Sequence, residues 1–149
     1  MAIHKIDGVD GDANYPKKFV ELYCSGAVTK GQWVSITDTT SPNGRGQTVA
    51  VAAKGPANAE PIALVIGVAA ETKTAAGNLR IQTAGYCEGV SVEAGVAFGD
   101  ALVGPVADTT STGMADKLTA AIFGPVIAGA LTATSSDTAT VMIVDQGYF

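Results

Sequence analysis

Turn signals recur along this chain every 8 to 14 residues, and that spacing constrains its fold more than any other feature. Between them stand short runs of alternating apolar and polar residues, the period of a half-buried strand, and no helical period survives more than two turns. The fold class that follows is all-β, a compact barrel or sandwich of about nine short strands. Gly at 18 positions, with abundant Thr, Ala and Val, favours strands and tight turns over long helices.

The alternation assigns faces. In 19–24, Val20, Leu22 and Cys24 point one way and Phe19, Glu21 and Tyr23 the other, so Cys24 reads as core filling. In 32–37, Val34 and Ile36 share a face opposite Trp33, Ser35 and Thr37, which places the single Trp outside the core. Ser41-Pro42-Asn43-Gly44-Arg45-Gly46 is the strongest turn signal, because Asn-Gly tolerates the positive φ of a hairpin tip. Strands are expected over 48–53 and 62–70, around Leu79 to Gln82 and Val90 to Glu93, over 101–103, and over 123–128 and 138–144. Two runs, Ile62 to Ile66 and Val141 to Val144, are apolar without alternation; the first is either covered on both faces or central to the fold, and the two together imply either a closed barrel with a covered exterior or an oligomer interface. Pro105 to Thr119 reads as a surface loop, with a weak helical candidate at Met114 to Ala121. Residues 1–17 are polar and turn-rich, an extended N-terminal arm preceding a single β domain over 18–149.

A net charge of −5 offers no electrostatic footprint for nucleic acid or anionic lipid, and the longest apolar stretch, Ile62 to Ala70, is too short to span a bilayer. Cys24 and Cys87 do not make a disulfide framework and are expected as free thiols. The single His4 lies in the polar arm, where few groups could orient it for acid–base work, so no catalytic residues are assigned and no cofactor is expected. A phosphate-binding glycine motif, which a small β-fold nucleotide hydrolase would need, is not recognisable. One metal-like spacing occurs: Asp10, Asp12, Asn14 and Glu21 stand at positions 1, 3, 5 and 12 of a calcium-type loop. It breaks at the sixth position, where Tyr15 replaces the Gly that the sharp turn wants, and no metal site is assigned.

Four pieces, in order from Cys24 to Val144, carry a resemblance. They are Ser25-Gly26-Ala27-Val28-Thr29-Lys30-Gly31-Gln32-Trp33-Val34; Gly67-Val68-Ala69 with Thr74 to Ile81; Gly85 and Val90 with Gly99-Asp100-Ala101-Leu102-Val103; and Phe123-Gly124-Pro125-Val126 with Val141 to Val144. In that order they resemble the small Gly- and Ala-rich head decoration, or capsid cement, proteins of tailed bacteriophages. The resemblance implies a tulip-like β-barrel on the outer surface of an icosahedral virion, partnered by the major capsid protein and often by two further copies in a homotrimer. It implies a structural role without turnover, stabilising the expanded head by bridging capsid subunits. Tyr15, Trp33, Tyr148 and Phe149 are the aromatics expected near interfaces, where such residues are enriched. The alternative is a non-catalytic β-sandwich that binds a ligand, such as the glycan-binding part of a tail or fibre.

Overall fold

A computed structural model describes residues 17–37, 48–52, 64–105, 112–119 and 125–147. Nine strands occur among them: β1 (Lys18–Cys24), β2 (Trp33–Ile36), β3 (Thr48–Val51), β4 (Leu64–Ala69), β5 (Gly77–Ser91), β6 (Ala101–Val103), β7 (Asp116–Lys117), β8 (Val126–Ala130) and β9 (Thr138–Ile143). The order β1-β3-β2-β4-β5 closes on itself, because β1 also pairs antiparallel with β5 from Lys18↔Ala84 to Cys24↔Gly77. One contact in this small barrel is parallel, Tyr23↔Thr48 and Cys24↔Val49. The expected all-β barrel class is what the chain adopts.

Closure gives the period-2 pattern an inside. Cys24, Val34, Val49, Ile66, Leu79 and Ile81 fill the barrel, with Val20 and Leu22 packed beside them, as the alternation predicts. Both cysteines are free thiols, Cys24 buried and Cys87 partly so.

The segments around Leu79 and Val90, expected as two strands, are one strand of 15 residues. β5 leaves the barrel and continues into a second sheet ordered β5-β9-β8-β6-β7. The change of partner needs a bend, supplied by positive φ at Gly85 (94°) and Gly89 (67°) and by a bulge between Cys87 and Val90. The second sheet curls until Ala115, just before β7, bridges Val92, just after β5. Its concave face and the outer wall of the barrel enclose a second core.

That enclosure overturns the placement of Trp33. Expected outside, it is 0% exposed and sits in the second core with Val65, Val68, Val90 and Val141. Its indole N–H donates to the Ser91 carbonyl at 3.1 Å, so burial leaves no polar atom unpaired. Alternation had correctly set Trp33 and Val34 on opposite faces of β2, but both faces are covered.

The same enclosure explains the unalternating run in β4. Opposite Val34↔Gly67 and Ser35↔Val65, Ile66 is an extra residue. This bulge shifts the phase, sending Val65 and Val68 to the second core and Ile66 and Ala69 to the barrel. The other such run behaves differently. In β9, Ala139, Val141 and Ile143 are buried while Met142 is partly exposed and Val144 exposed, so only one of its faces is covered.

Within the expected Pro105 to Thr119 loop, residues 112–119 are structural. Gly113 is inserted between two barrel positions, accepting from Trp33 N and donating to Ala52 O, and Asp116–Lys117 pair with β6. Ala115 and Asp116 are buried, and neither a surface loop nor a helix at 114–119 forms. Ala, Met and Lys favour helix weakly, and backbone pairing to Val92 and Leu102 overrides that preference.

Candidate functional site

Where β5 passes from one sheet to the other, the outer wall of the barrel is only half covered. A cleft of about 210 Å³ opens there, lined by Phe19 of β1, Val68 of β4, Arg80, Gln82 and Glu88 of β5, and the Lys30-Gly31 turn. The volume is below the usual ~300–1,000 Å³ of small-molecule pockets, so the cleft suits one or two side chains rather than a large ligand. Gly31 is required at this turn: its φ is 96°, and a Cβ would run into the Gly89 carbonyl oxygen.

Gln82 forms the floor, paired with Phe19 on one side and Val68 on the other, and is only 6% exposed. Its Nε2 donates to the Ala84 carbonyl at 3.0 Å and the Tyr86 carbonyl at 2.8 Å, which fixes the orientation of the amide. The Arg80 guanidinium lies 4.0 Å from the centre of the Phe19 ring. Lys17 stands 5.8 Å from the Tyr86 ring centre, and the Tyr86 hydroxyl donates to Glu88 Oε1 at 2.7 Å.

Cys87 also lines the cleft. Burial pushes its thiol pKa up, and Glu88 adds to this, while Lys17 and Lys30 oppose it. The sulfur is therefore held as the thiol at neutral pH, the form that is a poor nucleophile. Among the described residues, no three His, Cys, Asp or Glu side chains are grouped to hold a metal.

Of the residues that the sequence singled out, Trp33 is interior and reaches no partner surface. Glu21 is exposed on β1, opposite Arg80 in register. Asp10, Asp12, Asn14, Tyr15, Tyr148 and Phe149 lie outside the described residues.

A second surface feature went unread in the sequence. Phe98 is 76% exposed at the tip of the turn joining β5 and β6. The turn is pinned: Ala97 N donates to Asp100 Oδ2 at 2.8 Å, Gly99 N to Ala130 O at 2.8 Å, and Lys117 pairs with Asp100 at 3.0 Å. The Ala97 N–H foremost, and then Lys117, hold the Asp100 carboxyl below its ordinary pKa. The Gly99-Asp100 turn signal was legible, and an aromatic immediately before such a turn is the clue that points to Phe98.

No protein-family model matches the chain, and no curated protein is similar to it in sequence. Among solved structures, the chain is similar to the head fiber gp8.5 N base in bacteriophage phi29, with a TM-score of 0.53 and 12% sequence identity. The similarity covers 87% of this chain and 96% of that one. At this identity the likeness is one of fold, a β architecture shared with a phage head protein.

Proposed function

We propose that this chain is a structural protein of a tailed-phage virion, carried on the outer surface of the head as a decoration or cement subunit. In this reading it binds the major capsid protein, bridges neighbouring capsid subunits as a homotrimer, and works by contact without turnover. The observation that supports it is the fold shared over nearly the whole length with the phi29 head fiber base. The order of sequence pieces resembling cement proteins points the same way. Residues 1–17 serve as an extended arm beside the 18–149 domain, and Tyr15, Tyr148 and Phe149 join Phe98 as contact candidates.

The test is co-sedimentation with undecorated heads. Saturable binding at a fixed number of copies per capsid is expected, and absence of binding to expanded heads would sink the reading. Phe98→Ser should weaken attachment while leaving the melting temperature unchanged, since an exposed turn residue contributes little to the fold.

The same similarity favours a second reading, in which the domain is the base of a head fibre rather than a free-standing cement. Electron microscopy of heads carrying the native virion protein separates the two: a low knob for cement, a projecting fibre for the other.

A further inference from the structure

We propose that the cleft beside β1 and β5 is a docking site for an acidic, extended segment of a partner protein, one carboxylate of which sits between Arg80 and Lys30. The inference goes beyond attachment to a phage head and stands on the distribution of charge. Six Lys or Arg residues are described: Lys18 pairs with Asp145, Lys73 with Glu71 and Lys117 with Asp100. The other three, Lys17, Lys30 and Arg80, have no ion pair among the described residues, and two of them, Lys30 and Arg80, line this cleft. Lys17 is near enough to act on Cys87. In a chain of net charge −5, the described cations without an ion pair are found at or beside this one cleft.

Gln82 supplies the second observation. Both Nε2 hydrogens are committed to carbonyls of its own strand, and no described group donates to its Oε1. A buried amide oxygen without a partner is costly and asks for a donor from outside. A ligand that fits therefore brings a carboxylate for the rim cations and an N–H for the floor. An Asp or Glu residue within an extended polypeptide offers both. Inorganic phosphate carries charge and an O–H donor but no N–H held in an extended backbone, and it is the competing anion in the titration. A long nucleic acid would extend over the acidic remainder of the surface, where the net charge repels it. Three carboxylates lie nearby and do not fill the site: Glu88 is engaged by the Tyr86 hydroxyl, Glu71 accepts from the Arg80 backbone N–H and pairs with Lys73, and Glu21, opposite Arg80, makes no ion pair with it.

The experiment is an NMR titration of the full-length protein with the peptide acetyl-Gly-Asp-Gly-Glu-Gly-amide, its Asn/Gln counterpart, and inorganic phosphate. Saturable shifts at Phe19, Lys30 and Gln82 are expected with the acidic peptide only. Arg80→Gln and Lys30→Gln should each weaken binding about tenfold or more, the loss of one charge-assisted contact. Both side chains are exposed, and circular dichroism of each variant checks that the fold is kept. The proposal is overturned if the acidic peptide produces no shifts, if the Asn/Gln peptide binds equally well, or if phosphate reproduces the same shifts at the same concentration.

Discussion

The two cores of this protein are enclosed in different ways. The barrel fills itself: Cys24, Val34, Val49, Ile66, Leu79 and Ile81 all come from strands of its own closed sheet. The second core borrows a wall, since Trp33, Ala52, Val65 and Val68 belong to the barrel side. A sheet whose apolar face is covered only by another unit depends on that unit, whereas the closed barrel does not depend on the sheet to the same degree. The asymmetry teaches that stability should run outward from the barrel, with β6 to β9 as its more readily opened layer.

Trp33→Ala should have the largest effect, because it removes the biggest side chain from the borrowed wall and one of the two donors to the Ser91 carbonyl, the Ala115 N–H being the other. A loss of about 3–5 kcal/mol is expected in chemical denaturation. Amide exchange should show protection falling first in β8 and β9, with β1 and the first half of β5 holding longer. Equal loss in every strand would break the comparison and make the two cores one cooperative unit.

Leu79→Ala strikes the barrel interior, where Leu79 is 0% exposed, and should cost about 2–5 kcal/mol. Here protection should fall in both sheets together, since the outer layer cannot outlast its support. A protected second sheet on a loosened barrel would reverse the assigned dependence.

Gly89→Ala probes the joint between the regions. A methyl there meets nothing within 4 Å, so the cost is backbone strain at φ 67°, about 1–2 kcal/mol. The bend should survive; a larger loss would mean that the joint tolerates no adjustment at all.

The smallest effect is electrostatic and depends on pH. Asp145 is held below its ordinary pKa chiefly by the Gly147 N–H, then by Lys18, a residue of the barrel. A carboxylate with a depressed folded pKa stabilises the fold above its unfolded value and loses that contribution as pH falls through the folded one. The unfolded value is near 3.8, so the contribution is complete at neutral pH and fades below about pH 4. Asp145→Asn should therefore lower the denaturation midpoint slightly at pH 7, with the gap to the parent closing below pH 4. A gap that widens in acid would show that the carboxylate is not favoured by folding.

Much of the fold was legible because alternation is a local signal. Val20, Leu22 and Cys24 had to share a face whatever β1 packed against, and the Gly99-Asp100 signal marks a real turn. The site was not legible. The cations that line it come from positions 30 and 80, far apart in the chain, and meet only because the Lys30-Gly31 turn bonds to Thr72, Ala69 and Ser91 across β4 and β5. The interface candidates chosen by residue type illustrate the same limit: Trp33 is aromatic, yet it serves a core, while the less conspicuous Phe98 is 76% exposed.

By itself, then, the sequence determined the class of the protein, the positions of most strands and which side chains stand on the same face, since all of these follow from a two-residue period and turn chemistry. Only the tertiary structure decided which faces are covered, that β5 runs through both sheets, that residues 115–117 join the second sheet, and that Lys30 and Arg80 meet at one cleft. A strand pattern contains no information on what lies above or below it. That depends on closure of the barrel and on a second layer folding over its wall, contacts between residues too distant in the chain for any local pattern to announce.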